Sequence, residues 1–321
     1  LSFDAAAASV FLYDLDRDAL RRTPGATLAL FLTDRCPVGC GHCSVAATAT
    51  GPTVTDWATF AEVVAGVCAL PALRVVAVTG GEPFAEPRAL RFAVRRLHAA
   101  GKAVVLFTSG HWGGRPVSAG TREVLACTAT VVLSTDSFHA AALGSRATAA
   151  ATAAAEAALA AGCHVVVQVL DEPGARDAAR TLCPTAEITV VPPLPTGRGV
   201  RAFPRSPARP VGALGRCTLL NSPTVRYDGT VTGCCNEAVI TGAGPPGLRR
   251  AVRDRADVAR ALDELRADPV LRVMGGPGPA ALALLAPGPF RSVCEPCWAV
   301  HERVAQDPRA AALAQLVAGW T

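Results

Sequence analysis

Aromatic side chains are scarce, 5% of 321 residues, although the hydrophobic fraction is 50%. Alanine fills much of the difference, as in Ala149–Ala151 and Ala153–Ala155. Alanine runs favour helices. No stretch of about twenty apolar residues is free of charges and breakers, which excludes a membrane-spanning helix. The segment Leu1–Leu20 carries Asp4, Asp14, Asp16 and Asp18. A secretory leader would start basic and continue apolar, so the chain reads as cytoplasmic. The net charge of +5 comes from scattered arginines such as Arg249, Arg250 and Arg253. No basic stripe is interleaved with aromatics, so a solvated helix face is favoured over a nucleic-acid surface. Internal repeats are absent. Cysteine is not scarce. In a reducing compartment, 12 cysteines point to metal sites rather than disulfides.

From Thr27 to Pro192 strand-like and helix-like runs alternate. The predicted strands are Thr27–Thr33, Arg74–Thr79, Ala103–Thr108, Thr130–Ser134, His164–Leu170 and Glu187–Val191. They are valine-rich and nearly all apolar, as strands buried on both faces should be. The predicted helices are Thr55–Leu70, Pro87–Ala100, Ala119–Cys127, Ala147–Ala161 and Ala175–Leu182, with Thr55 or Asp56 as the first cap. This alternation implies a parallel sheet with right-handed crossovers. Prolines and glycines then interrupt Leu194–Pro210, a linker or active-site loop. Beyond it, Thr224–Thr232 predicts a hairpin turning at Asp228–Gly229. Arg249–Arg266 predicts an amphipathic helix, Gly275–Pro289 is punctuated by Gly and Pro, and Pro296–Ala318 reads as largely helical.

The first strand runs into Cys36, Cys40 and Cys43 on a loop containing Pro37, Gly39 and Gly41. Three thiolates this close can hold three irons of a 4Fe–4S cluster and leave the fourth open to a small chelating ligand. The competing reading is a zinc knuckle with His42 as a ligand. The second strand ends in Gly80–Gly81–Glu82–Pro83. Two glycines allow close backbone approach to a ligand, and Glu82 offers a carboxylate. The competing reading is an ordinary strand-to-helix turn.

Together these motifs resemble the radical S-adenosylmethionine superfamily. The Cys-x3-Cys-x2-Cys run is similar to its cluster-binding motif, and Gly80–Pro83 to its GGEP motif. The resemblance implies a partial (β/α)6 TIM-type barrel over residues 22–205, after an N-terminal extension of residues 1–21. It also implies S-adenosylmethionine as cofactor, chelated to the open iron and cleaved to a 5′-deoxyadenosyl radical. Glu82 would meet the cofactor's ammonium group, and His42 would lie near adenine. Thr108–Ser109–Gly110 resembles the family's Thr-Asn-Gly turn. Ser134 and Asp136 are candidates for ribose or carboxylate contacts, and they read equally well as helix caps. His139 is a candidate for the substrate side. Gln168 and Arg198 are further cofactor candidates, Arg198 as a partner for a carboxylate.

A second cysteine group comprises Cys217, Cys234, Cys235, Cys294 and Cys297. Four ligands would close a metal site, either a cluster or tetrahedral zinc. The arrangement resembles a twitch domain, the short relative of the SPASM domain, here a small α+β unit with a β-hairpin over residues 206–321. The resemblance implies one auxiliary 4Fe–4S cluster on Cys217, Cys234, Cys294 and Cys297. Cys235 is then spare, either inert or a hydrogen-atom donor, and an exchange of roles with Cys234 stays open. Cys68, Cys127, Cys163 and Cys183 read as small buried hydrophobes.

Three outcomes follow for function. In the first, Cys235 returns a hydrogen atom and epimerises a C–H centre in a natural product. In the second, the auxiliary cluster accepts an electron, giving dehydrogenation or a cross-link. The third is an iron–sulfur binding or sensing protein without turnover. The expected partners are a small-molecule or directly bound peptide substrate and an electron donor such as flavodoxin or ferredoxin.

Overall fold

A computed structural model describes residue 20, residues 23–114 and residues 116–320. Apart from Leu20, the expected N-terminal extension lies outside the described residues.

Six parallel strands form the body: β1 (Thr27–Phe31), β2 (Val75–Thr79), β3 (Ala103–Thr108), β4 (Thr130–Ser134), β5 (His164–Leu170) and β6 (Glu187–Val191). They lie side by side in sequence order. The connecting helices are α1 (Trp57–Ala69), α2 (Pro87–Ala99), α3 (Ala119–Ala126), α4 (Ser137–Leu143), α5 (Ala147–Ala160) and α6 (Ala175–Leu182). This is the parallel sheet expected from the alternation of valine-rich and alanine-rich runs, and the partial barrel that the resemblance implies. The cap of α1 is Asp56, whose side chain accepts from the N–H and hydroxyl of Thr59.

Alternation along each strand divides two environments. Leu28, Leu30, Val76, Val78, Val104 and Leu106 pack against helices in the main core. Ala29, Phe31, Ala77, Thr79, Phe107, Ser134 and Gln168 line a central cavity on the other face. The alanines of α5 have a specific use. Ala150, Ala151 and Ala154 are buried, and the turn His111–Gly114 presses against them. A Cβ on Gly113 would stand 2.1 Å from the Ala150 carbonyl oxygen.

The remaining elements are α7 (Gly199–Ala202), β7 (Arg209–Pro210), β8 (Thr224–Arg226), β9 (Thr230–Thr232), α8 (Glu237–Ile240), β10 (Arg249–Ala251), α9 (Arg255–Ala267), α10 (Pro269–Gly275), β11 (Pro289–Phe290), α11 (Cys294–Gln306) and α12 (Pro308–Gly319). The hairpin β8–β9 forms as the Asp-Gly turn predicts, but it does not stand apart. β8 pairs parallel with β1, matching Ala29 to Thr224 and Phe31 to Arg226. The sheet thus reaches nine strands, in the order β10-β9-β8-β1-β2-β3-β4-β5-β6. Pairing with β8 covers the edge of β1 that would otherwise be open.

The helix expected over Arg249–Arg266 is corrected at its start. Arg249–Ala251 pairs with β9 as a strand. The helix begins only at Arg255, after Asp254 accepts from the N–H groups of Ala256 and Asp257. The closing helical run is two helices, because Asp307 ends α11 and caps α12. A separate apolar cluster around Val270, Val273, Met274, Val300 and Ala314 supports the C-terminal region. Among the described residues, no helix is long and apolar enough to cross a membrane.

Gly113→Ala should destabilise the fold by about 1–3 kcal/mol, since backbone meets the added methyl. Gly114→Ala, whose Cβ would have its nearest neighbour at 3.8 Å, should be near neutral. Thermal denaturation of the two variants checks this, and equal melting temperatures would refute it.

Candidate active site

The cysteine loop leaves β1 and is anchored from four directions. The second strand's turn grips it through backbone alone. Gly81 N–H donates to the Thr33 carbonyl at 2.6 Å, and Glu82 N–H to the Arg35 carbonyl at 2.9 Å. A Cβ on Gly81 would sit 2.4 Å from the Arg35 oxygen, and one on Gly80 2.6 Å from the Thr33 oxygen. Both glycines are needed for the approach of this loop. Downstream, Cys36 N–H donates to the Thr48 carbonyl. From beyond β6, Gly197 turns with φ 56° and brings Arg198 over the loop. Arg198 donates from Nε to the Cys40 carbonyl at 3.0 Å and from Nη1 to the Ala47 carbonyl at 2.7 Å. The fourth anchor is Asp34. Its carboxylate accepts from both terminal nitrogens of Arg226, at 2.7 and 3.3 Å, and from the Tyr227 hydroxyl at 2.8 Å.

Cys36, Cys40 and Cys43 all line the central cavity, of about 440 Å³. Its walls come from the C-terminal ends of the strands, where such barrels hold ligands. Backbone N–H groups of Val45 and Ala47 point at the Cys43 sulfur, and those of Val38 and Gly39 at Cys36. Cys40 donates to Cys43, which drives Cys43 toward thiolate and Cys40 toward thiol. N–H donors to thiolate sulfur are a usual feature of iron–sulfur sites.

Glu82 is 1% exposed. Its oxygens accept from the Thr108 hydroxyl, the Ser109 N–H and hydroxyl, and the Phe84 N–H, at 2.6–3.2 Å. His111 Nδ1 stands 3.6 Å away. Burial pushes this carboxyl up, but His111 and Ser109 outweigh it, so Glu82 is held below its ordinary value. Asp136 caps α4 by accepting from the N–H groups of Phe138 and His139. Its second oxygen faces His139 Nδ1 at 2.9 Å and His42 Nε2 at 3.2 Å. Burial is again outweighed, here by the two imidazoles, and Asp136 stays ionised. Phe138 stacks on His42 with centroids 4.7 Å apart.

The second cysteine group splits. Cys294 and Cys297 occupy the first turn of α11, on one face at i,i+3 spacing. Asn236 Nδ2 donates to the Cys294 sulfur at 3.4 Å. Cys217, Cys234, Cys294 and Cys297 lie close enough to raise one another's thiols. Burial, the larger effect, takes Cys234 up to about 11 and Cys294 to about 12. Cys235 instead lines the central cavity with the first triad. Its sulfur donates to the Leu219 carbonyl at 3.6 Å. Burial pushes its thiol to about 12.

No protein-family model and no curated protein matches the sequence. The fold does match solved structures. Native anSMEcpe with bound AdoMet and Cp18Cys peptide aligns with a TM-score of 0.53 over 91% of this chain and 99% of that one, at 11% identity. SuiB of Streptococcus suis bound to S-adenosylmethionine aligns with a TM-score of 0.51 over 79% of this chain and 68% of that one, also at 11% identity. The chain shares the fold of these S-adenosylmethionine-bound structures.

On this shared fold, the cavity gathers His42, Gly80, Gly81, Glu82, Ser109, Ser134, Asp136, His139 and Gln168 with the triad. Pro83 opens the turn after Glu82 and is buried outside the cavity wall. Arg198 is likewise off the wall, with Nε and Nη1 on loop carbonyls and Nη2 buried without a hydrogen-bond partner among the described residues. The sequence reading missed His111, Asp34, Arg226, Tyr227 and Glu237. For Glu237 a signal existed, two residues past Cys235. Arg226 had none, since its partner is 192 positions away.

By chemistry the cysteine sulfurs suit either an iron–sulfur cluster or zinc. Among the described residues, the only trio of potential ligand atoms within 4.8 Å of one another is His42, Asp136 and His139. Neither cysteine set is therefore drawn in to the ~4 Å edges of a tetrahedral zinc site. An Arg198→Lys variant, in a Cys294→Ala/Cys297→Ala background, should lose one of two charge-assisted loop contacts. Bleaching of its reconstituted cluster by a chelator should speed at least about tenfold. An unchanged bleaching rate would count against the role of Arg198 as a loop clamp.

Proposed function

We propose that the protein is a radical S-adenosylmethionine enzyme that epimerises a C–H centre in a natural product. Cys36, Cys40 and Cys43 would hold the radical-generating 4Fe–4S cluster. Cys217, Cys234, Cys294 and Cys297 would hold an auxiliary cluster in a twitch domain over residues 206–321. When bound, the first cluster and S-adenosylmethionine supply a 5′-deoxyadenosyl radical, with electrons delivered by flavodoxin or ferredoxin. His42 and its partner Asp136 would bound the adenosyl group, with Ser134 and Gln168 on the same wall. Glu82, saturated by Thr108 and Ser109, would offer the cofactor ammonium a fixed negative charge.

One observation carries the epimerase reading: Cys235 lines the same cavity as the cysteine triad, while its neighbour Cys234 does not. A thiol S–H bond is weaker than most C–H bonds. Cys235 can therefore hand a hydrogen atom to a substrate carbon radical, leaving a thiyl radical that takes one electron from the flavodoxin or ferredoxin donor and one proton from solvent to return to the thiol. Its raised pKa keeps the S–H intact at neutral pH. Dehydrogenation or cross-linking stands as the second reading, supported by the four sulfurs that adjoin Cys235 through Cys234. A binding or sensing role without turnover is the weaker case, because a cavity of about 440 Å³ adjoins the triad. Peptides bound in the similar structures, the precursor peptide SuiA and the Cp18Cys peptide, keep a peptide in consideration beside a small molecule.

Anaerobic reconstitution should give about eight irons per chain, and about four in Cys294→Ala/Cys297→Ala. An iron content that the double substitution leaves unchanged would remove the auxiliary cluster. In deuterated buffer, wild-type protein should place one deuterium at the inverted carbon and Cys235→Ala should not. Inverted, deuterated product from Cys235→Ala would show that Cys235 is not the donor.

A further inference from the structure

Three carboxylates line the central cavity, with two imidazoles, His42 and His139, that both face one of them. The carboxylates are Glu82, Asp136 and Glu237, and among the described residues neither lysine nor arginine lines the cavity. Two of these carboxylates already have internal partners. Glu82 takes four hydrogen bonds from Thr108, Ser109 and Phe84. Asp136 takes two backbone N–H groups and faces two imidazoles. Among the described residues, the Glu237 carboxylate accepts only from its own backbone N–H.

The carboxylates also stand on different walls. Glu82 and Asp136 follow β2 and β4, beside the cysteine triad. Glu237 opens α8, on the wall that Cys235 and Ile240 share. That is the wall from which a hydrogen atom would reach a substrate radical. Burial raises the Glu237 carboxyl above its ordinary value. A carboxylate in such a place is costly without a counter-ion and becomes favourable when a cation enters. Among the described residues no lysine or arginine lines this cavity, and its imidazoles His42 and His139 are engaged with Asp136.

We propose that Glu237 is a substrate-recognition residue that pairs with a protonated amine, so that the substrate class is amine-bearing. This rests on the radical-enzyme reading, which makes the cavity the place where substrate meets the radical. The ammonium would sit against the Glu237 wall and hold the reacting carbon between the triad and Cys235. An acidic substrate group would meet uncompensated negative charge there and be excluded. An amino sugar and a lysine side chain offer the same ammonium chemistry.

Matched probes separate these sources. One trio is glucosamine, glucose and glucuronate. The other is glycyl-lysyl-glycine and its norleucine and glutamate counterparts. Calorimetry on reconstituted protein with S-adenosylmethionine should show the amine of at least one trio binding at least about tenfold tighter than its neutral and acidic counterparts, a preference that falls to about twofold or less in Glu237→Gln. Glu237→Asp, which keeps the charge, should retain part of it and controls for loss of fold. Absence of amine preference in the wild type, or its survival in Glu237→Gln, overturns the proposal. Either failure leaves the wild type's iron content and cleavage of S-adenosylmethionine in place. Loss of those two properties would instead be a failure of the radical-enzyme reading.

Discussion

The arrangement of the two cysteine groups depends on Arg226. It is 7% exposed, at the end of β8, and its guanidinium reaches Asp34, Asp228 and the Ile240 carbonyl. Phe31 and Tyr227 present their rings to it at 5.0 and 5.1 Å. Burial opposes its charge, but the two aspartates hold it firmly protonated. Removing one partner of such a pair typically costs about 3–5 kcal/mol, because it strands a buried charge. Here the partners belong to different parts of the chain. Asp34 begins the first cysteine loop, and Arg226 ends the first strand of the hairpin that delivers Cys234 and Cys235. Ile240 belongs to α8, which Glu237 opens. One guanidinium therefore ties the start of the first cysteine loop to the end of α8.

That placement gives adjacent cysteines different environments. Asn236 caps α8 through its side-chain oxygen on Val239 N–H, and its amide nitrogen meets Cys294. Thr232 binds the Cys234 carbonyl at 2.7 Å. The backbone between these fixed points turns Cys234 toward the other three cysteines and Cys235 toward the cavity. The radical chemistry we propose needs this separation. A sulfur held as a ligand has no hydrogen atom to give, whereas a buried thiol keeps its proton.

Much of the barrel was legible because its signals are local. Valine runs mark β2 to β6, and the alanine runs of α5 announce a helix that can take close contact. The helical pattern of α9 was legible too, yet Arg249–Ala251 reads as helix from sequence and forms a strand. Its strand character comes from pairing with β9, a tertiary contact that overrides local pattern. Gly80 and Gly81 show a subtler limit. Their small size was apparent, but the neighbour they admit is the Thr33–Arg35 backbone rather than a bound molecule alone. Arg198 was noticed as a charge, while its use on the Cys40 and Ala47 carbonyls follows from a φ of 56° at Gly197 that no composition announces.

The sequence by itself determined the chemistry on offer: three thiols on one short loop, a carboxylate after two glycines, and a second set of sulfurs near the end. Those features are encoded by residue identity over short spacings, where chain connectivity guarantees proximity. Tertiary structure alone decided which sulfur faces the cavity, which carboxylate lacks a partner, and how the hairpin joins β1. Each of these depends on contacts between residues far apart in sequence, formed through burial and charge pairing once the sheet is assembled.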